Sequence, residues 1–317
     1  MHVIFGAGGT TANALTRELL NHGQAVRLVS RRPVNTAGER IPWVKADLMI
    51  YEEAVNAAKG ATVIYLCNGV GYKKQDWKDR WPVIMQNAID AAKKTGARLL
   101  FFDNTYMYGR ATGAMTETTP YHPCSFRGEV RARIATQFMQ EVKNGNIAGA
   151  IARAPAFYGT DSGQSVLDTL VIDRFAGRQK ARWFGDPRYT HNFGYLPDMG
   201  KGLYLLGQDR RGDGQVWHLP TAPPMTGLQF IALAAEIYGM EPRFFRVRKT
   251  LLRLMSLFDP AAASQLEMFY TWEQDYNFVS SKFEQFFDVR PTSFAEGIKQ
   301  TTRIFSRCRA YSSGISM

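Results

Sequence analysis

The sequence predicts an α/β fold, a doubly wound parallel sheet followed by a smaller, mainly helical lobe, and three observations predict it. An apolar run at the start, Val3-Ile4-Phe5, passes straight into a glycine turn, Gly6-Ala7-Gly8-Gly9. Strand-like and helix-like segments then alternate as far as Gly159, the pattern of parallel strands joined by helical crossovers. Beyond Gly159 the alternation loosens and helical patterns dominate the last part of the chain.

Val3-Ile4-Phe5 is the continuous apolar type that a strand buried on both faces requires. A helix over Ala12–Asn21 closes at His22-Gly23, and Ala25–Val29 is the second strand of a βαβ unit. Trp43–Leu48 reads as the third strand, Ala54–Lys59 as a helix, and Ala61–Cys67 as the fourth strand, opening into Asn68-Gly69-Val70-Gly71. A long helix over Trp81–Thr95 stops at Gly96, and Arg98–Asp103 is the fifth strand. Arg127–Lys143 is another long helix, ending at Asn144-Gly145 before the strand Ala148–Arg153. The second half predicts a helix over Val166–Ala176, a strand near Trp183, and Asn192–Leu196 leading into a helix Asp198–Gly207. Val216–Pro220 follows, then a helix begun by Thr226 and stopped at Gly239. Arg246–Lys249 alternates like an exposed strand edge, and helices are expected over Pro260–Trp272, Ser280–Phe287 and Ser293–Arg307. The expected organisation is a Rossmann-type nucleotide-binding domain over residues 1–160, to which the strand and helix near 190–208 return, and a substrate lobe over 161–317 across a cleft.

The first turn carries the chemistry. Gly6 lets the chain leave the strand sharply, and Gly8 and Gly9 let backbone N–H groups approach a phosphate. Thr10 or Thr11 can cap the next helix, whose N-terminus favours an anion. An ordinary glycine-rich turn is the competing reading, and the βαβ context outweighs it. After the second strand, Ser30-Arg31-Arg32 stands where an acidic residue would accept ribose hydroxyls. A hydroxyl and two guanidinium groups complement a 2′-phosphate that a carboxylate would repel, so the expected cofactor is NADP; a solvated basic turn is the alternative. Asp47 and Leu48 end the third strand, where adenine would lie.

With 45% hydrophobic and 21% charged residues in 317, the chain has the make-up of a globular protein of one large domain or two unequal lobes. No apolar run approaches membrane-spanning length and the first strand begins at residue 2, so neither a span nor a signal peptide is expected. Cys67, Cys124 and Cys308 are odd in number, widely spaced and without CxxC, which points to reduced, cytoplasmic thiols rather than a zinc site or disulfide framework. The net charge of +11 invites a nucleic-acid reading. Its positives are dispersed apart from Arg243–Arg253 and Arg303–Arg309, with no nucleic-acid motif, so solvated faces and an anionic cofactor or substrate account for it.

Six segments in order resemble the extended short-chain dehydrogenase/reductase family, which includes nucleotide-sugar epimerases and dehydratases. Gly6-x-x-Gly9-x-x-Ala12 is similar to its glycine turn, and Asp47-Leu48 to its adenine-side motif. Asn104-Thr105-Tyr106-Met107-Tyr108-Gly109 resembles its SS-x-x-VYG segment, and Thr116-Glu117-Thr118-Thr119-Pro120 its TE-x-x-P loop. Arg153–Gly159 resembles R-x-x-x-x-YG, and Tyr195–Gly200 the V-x-D-V-A segment. The resemblance implies that Cys67, Asn68 and Gly69 at the fourth strand and Pro155, Ala156 and Phe157 beside the nicotinamide contact the cofactor. It also implies a homodimer formed through the long helices Trp81–Thr95 and Arg127–Lys143.

The departure lies at the family's catalytic P-x-x-x-Y-G-x-x-K. Here Pro123-Cys124-Ser125-Phe126-Arg127-Gly128-Glu129-Val130-Arg131 keeps the proline and glycine, with Arg127 for tyrosine and Arg131 for lysine. A guanidinium cannot surrender a proton near neutrality, so Arg127 cannot replace tyrosine as an acid, whereas Arg131 can serve a ribose or phosphate as a fixed cation. The serine or threonine of relatives falls on Asn104, with Thr105 beside it. Tyr106, Tyr108, Tyr121, His122 and Tyr158 are other candidates to move a proton, weighed against simple packing. No Ser-His-Asp pattern, carboxylate pair or metal-ligand cluster is visible. The expectation is an atypical NADP(H)-dependent oxidoreductase or epimerase-like enzyme acting on a small carbonyl or sugar-like, anion-compatible substrate. A catalytically degenerate NADP(H)-binding sensor and a structural assembly subunit are the alternatives.

Overall fold

The structure, a computed structural model, describes residues 1–34, 41–159 and 165–302. Cys308, the basic run Arg303–Arg309, the end of the helix expected over Ser293–Arg307 and the expected domain boundary at 160/161 lie outside the described residues.

The first half alternates as the pattern requires: β1 (His2–Phe5), α1 (Thr10–Asn21), β2 (Val26–Ser30), β3 (Trp43–Lys45), α2 (Tyr51–Ala57), β4 (Val63–Leu66), α3 (Lys74–Thr95), β5 (Arg98–Asp103), α4 (Phe126–Lys143) and β6 (Gly149–Arg153). The chain continues through β7 (Phe157–Tyr158), a π-helical turn Asp168–Ile172 running into α5 (Asp173–Ala176), β8 (Ala181–Phe184), β9 (Thr190–His191), β10 (Gly194–Tyr195), α6 (Leu196–Gln208) and β11 (Val216–His218). Then come β12 (Met225–Thr226), α7 (Gly227–Ile237), β13 (Phe244–Val247), α8 (Lys249–Met255), α9 (Pro260–Glu267) and α10 (Ser281–Phe287), with residues 294–302 also helical.

Seven strands form one parallel sheet in the order β11-β6-β5-β4-β1-β2-β3, the Rossmann-type arrangement. The order reverses between β1 and β4, and at such a switch point the carboxyl ends of the strands open a crevice. Strand alternation divides the core. Val3, Phe5, Ile64, Leu66, Leu99 and Phe101 face α3 and α4, while Ile4, Tyr65 and Leu100 face α1 and α6. The long return to the sheet is tight: a Cβ on Gly200 of α6 would lie 2.7 Å from the backbone of Ala14 in α1. A second core, gathered around Trp183, Phe230, Phe193 and Trp272, holds the C-terminal part.

Several elements differ from expectation: the third strand ends at Lys45, and the helix from Pro260 ends at Glu267. The α3 helix starts at Lys74 and contains Pro82, instead of starting at Trp81. Buried Trp77 and Trp81 before the proline and buried Ile84 and Met85 after it pin the turns on either side, so packing overrides its preference for a first turn. The α8 helix was not expected: only Leu252 of its seven residues is buried, which leaves no helical stripe to detect. Among the described residues no helix is long and apolar enough to cross a membrane.

Candidate active site

The glycine turn after β1 forms the floor of a cavity of about 700 Å³. Gly6 and Gly8 have φ of +84° and +88°, conformations that side-chain-bearing residues rarely adopt. A Cβ on Gly6 would collide with Asn68 Oδ1 at 2.7 Å, whereas at Gly8 it would enter the cavity itself, meeting only Val34 at 3.5 Å. Gly9, not Thr10 or Thr11, is the N-cap of α1, and no side chain caps that end. The threonines are already helical and turned inward, buried, because the glycines carry the chain directly into the helix. The first intrahelical bond is donated by Asn13 to Gly9 O at 2.9 Å, so the preceding N–H groups face the cavity end with no intrahelical acceptor. A Cβ-free floor under a helix N-terminus fits a pyrophosphate.

Ser30, Arg31, Arg32, Asp47, Leu48, Asn68 and Gly69 line the same cavity, as do Gly6, Gly8 and Gly9. Arg31 and Arg32 are exposed, and neither forms an ion pair among the described residues. Ser30 Oγ donates to Arg32 O at 2.6 Å and accepts from Trp43 Nε1 at 2.9 Å, which shapes the turn after β2. The Asp47 carboxylate accepts from Met49 N at 3.0 Å, so it is held in the turn after β3. Cys67 lies behind the wall, its thiol pushed up to about 12 by burial. Sequence reasoning missed Asn13 and Arg80; Arg80 comes from α3, one residue ahead of the expected helix start, and its Nε is buried without a partner.

A second cavity, of about 280 Å³, adjoins the first along the loop after β4, whose Val70, Gly71 and Tyr72 line it. Thr105, Arg127, Pro155, Ala156 and Phe157 meet here, together with Tyr106; Asn104, Tyr108 and Arg131 line neither cavity. Arg127 is 2% exposed and bound to Glu267 of α9, its Nη1 donating to Oε2 at 2.5 Å and its backbone N–H to Oε1 at 2.9 Å. Its Nη2 donates to Tyr72 O, and the guanidinium lies over Trp77. Its charge is therefore compensated inside the protein. Asn104 Oδ1 accepts from Tyr106 N at 3.0 Å, a local turn bond.

Arg131 belongs to a buried network instead. Asp103, at the end of β5, takes Arg131 Nη1 at 3.3 Å on one oxygen and Arg153 Nε at 3.2 Å on the other. Arg131 also stacks over Trp81 at 3.9 Å, and burial lowers its pKa. Arg153 donates to Tyr108 OH at 2.8 Å and to Tyr121 OH. His218 Nδ1 faces Val279 O at 2.8 Å; a carbonyl only accepts, so Nδ1 carries the proton and Nε2 accepts from Tyr108 OH at 2.7 Å. Burial pulls His218 down to about 3 and pushes Tyr108 up to about 12. Two guanidinium groups share one carboxylate, which leaves an excess positive charge behind the cavity.

The structure adds His191, Asn192 and Tyr276 to the second cavity. Tyr276 OH donates to Thr105 O at 3.1 Å, and Asn192 bridges Ala222 O and Phe278 N, each at 2.8 Å. Both ring nitrogens of His191 face carbonyls, Thr271 O at 2.9 Å and Tyr189 O at 3.2 Å, and burial lowers its pKa. A neutral ring can donate to only one of them. From the sequence His191 reads as a structural histidine, because the residues that tie the Thr190-His191-Asn192 run to this cavity arrive from residues 271–278.

A family model described as the NAD dependent epimerase/dehydratase family matches residues 2–219. Among solved structures, UDP-glucose 4-epimerase from Thermotoga maritima with UDP-glucose is 16% identical at a TM-score of 0.79, over 98% of this chain and 100% of that one. A double mutant of dTDP-glucose 4,6-dehydratase from Streptomyces venezuelae with NAD bound is 16% identical at 0.78, over 98% of each chain. UDP-glucuronic acid 4-epimerase from Bacillus cereus in complex with NAD is 16% identical at 0.77, over 97% and 99%. A search of curated proteins finds no match.

Proposed function

The chain belongs to the NAD dependent epimerase/dehydratase family, and we propose that it is an atypical NADP(H)-dependent oxidoreductase or epimerase-like enzyme acting on a small carbonyl or sugar-like substrate, with an anionic one favoured. The observation that carries this reading is the pair of adjoining cavities, one floored by the glycine turn and the other lined by Thr105, Arg127 and Phe157. Gly6, Gly8, Gly9 and the start of α1 would hold the pyrophosphate, and Asp47 and Leu48 would flank the adenine. Ser30, Arg31 and Arg32, with no acidic residue among them, favour the 2′-phosphate and hence NADP over the NAD present in the solved relatives. The bound nicotinamide would supply hydride chemistry. Around it, Thr105 and Arg127 orient a carbonyl oxygen, Phe157 and Trp77 exclude water, and the excess positive charge of the Arg131–Asp103–Arg153 cluster favours an anion.

Arg127 stands in the tyrosine's place yet is neutralised by Glu267, and among the described residues the cavity holds no side chain poised to exchange a proton near neutrality. That observation favours the second reading, a catalytically degenerate NADP(H)-binding sensor. Assembly as a homodimer through α3 and α4, which already pack together through Gln137 and Gln86, accords with either reading, as does a cytoplasmic site for the unpaired Cys67 and Cys124.

Calorimetry of the purified chain tests the cofactor. NADPH is expected to bind about ten- to hundredfold more tightly than NADH, with Arg31→Asp reversing the order. Binding of neither, or a preference for NADH in the unaltered chain, overturns the proposal. NADPH consumption across a panel of carbonyl compounds then separates enzyme from sensor, the latter binding without turnover.

A further inference from the structure

The second cavity runs on, past Val70, Tyr72, Ser165, Val166 and Gln265 common to both, into a groove of about 1030 Å³. Its construction follows from strand alternation. β13 pairs in parallel with β8 so that Phe245 lies beside Arg182 and Val247 beside Phe184. These four residues share one face of the ribbon and all line the groove, while Trp183 on the other face is buried in the C-terminal core. Leu170, Phe184, Val247 and Leu252 make a buried apolar floor. The outer wall is apolar but wet: Phe245, Leu251 and Met255 are 54%, 38% and 45% exposed. An apolar trough with an uncovered apolar wall is the shape of a ligand site that burial of a hydrocarbon would complete.

Charge says what kind of hydrocarbon. Arg174, Lys180 and Arg182 line the same groove, and none has a carboxylate partner among the described residues. Arg174 donates from Nε to Lys180 O, and burial, then the like charge of Arg182, lowers its pKa. Asp259 is the one acid among the described lining residues, and its carboxylate caps α9, accepting from Ala261 N at 2.8 Å. We propose that this groove binds a single-chain amphipathic anion, its alkyl chain laid against Phe245, Leu251 and Met255 and its phosphate or carboxylate on the Arg174, Lys180 and Arg182 cluster. That this anion is the distal part of the substrate, with its reacting end in the second cavity, rests on the oxidoreductase reading above; the binding site itself does not.

Calorimetric titration of the full chain with butyl, hexyl and octyl phosphate, inorganic phosphate and UDP-glucose tests this. Affinity is expected to rise about fourfold for each added methylene. Leu251→Asp and Arg182→Glu, both at exposed positions, should each weaken octyl phosphate at least about tenfold. Leu257→Asp and Phe258→Asp alter side chains that are 72% and 85% exposed but outside the groove, and should leave binding unchanged. A flat chain-length series, equal losses in all four variants, or UDP-glucose binding more tightly than octyl phosphate and displacing it would overturn the proposal. NADPH titrated in parallel separates the two readings. Alkyl phosphates bound without NADPH uphold the groove and overturn the oxidoreductase, whereas NADPH bound with a flat alkyl series does the reverse.

Discussion

Asp103 is the residue on which the buried charges depend. It is 2% exposed and answers two guanidinium groups, Arg131 and Arg153, that are themselves almost wholly enclosed. Removing one partner from a buried ionic cluster strands the others, so Asp103→Asn should lower stability by about 3–5 kcal/mol despite its matching shape, as read by urea denaturation. Tyr108 is constrained by the same cluster. Its hydroxyl already serves Arg153 and His218, so its part is positioning rather than proton transfer, and Tyr108→Phe should cost about 1–3 kcal/mol of stability. Arg80 makes a different case. Its unpartnered Nε beside the cofactor cavity predicts that Arg80→Ala weakens NADPH about tenfold while the urea midpoint holds, a combination that a purely structural role would not give.

Among the elements, α1 is the one whose placement decides binding, because its N-terminus closes the cavity and its flank carries α6. Gly200→Val would push a branched side chain into the Ala14 backbone and should destabilise by about 1–3 kcal/mol while weakening NADPH, checked by thermal melting and calorimetry on the same sample. The repeating units of this sheet were legible in the sequence because a strand buried on both faces needs an apolar run, and each run here is fenced by glycine or polar turns. The cavity-lining glycines and Ser30-Arg31-Arg32 were legible for the same local reason. The second cavity was not. Glu267, Thr271 and Tyr276 reach Arg127, His191 and Thr105 from 80 to 171 residues away, and nothing in the short-range pattern encodes such meetings. The local spacing of Arg127 and Arg131 likewise hid their divergence: the first reaches the cavity, while the second is drawn back to Asp103 and Trp81.

At the scale of the molecule, three buried imidazoles tie the fold to pH. Burial lowers the pKa of His2, His191 and His218, the last to about 3. Between pH 6.5 and about 3 the unfolded chain takes up a proton at His218 that the native state refuses, so stability is complete above pH 6.5 and falls as the pH drops. At pH 5 that loss should approach about 2 kcal/mol for His218 alone, and His218→Gln should flatten the dependence of the urea midpoint. The edge strand β11 has a further consequence, for biosynthesis. It seats on β6, and α10 then covers Trp217, so the sheet begun at residue 2 gains its last strand more than sixty residues of chain after β6. On the ribosome, the amino-terminal half must wait with a raw margin exposed until Val216 emerges. A fragment ending before that point should therefore aggregate, where one ending after α10 stays monodisperse.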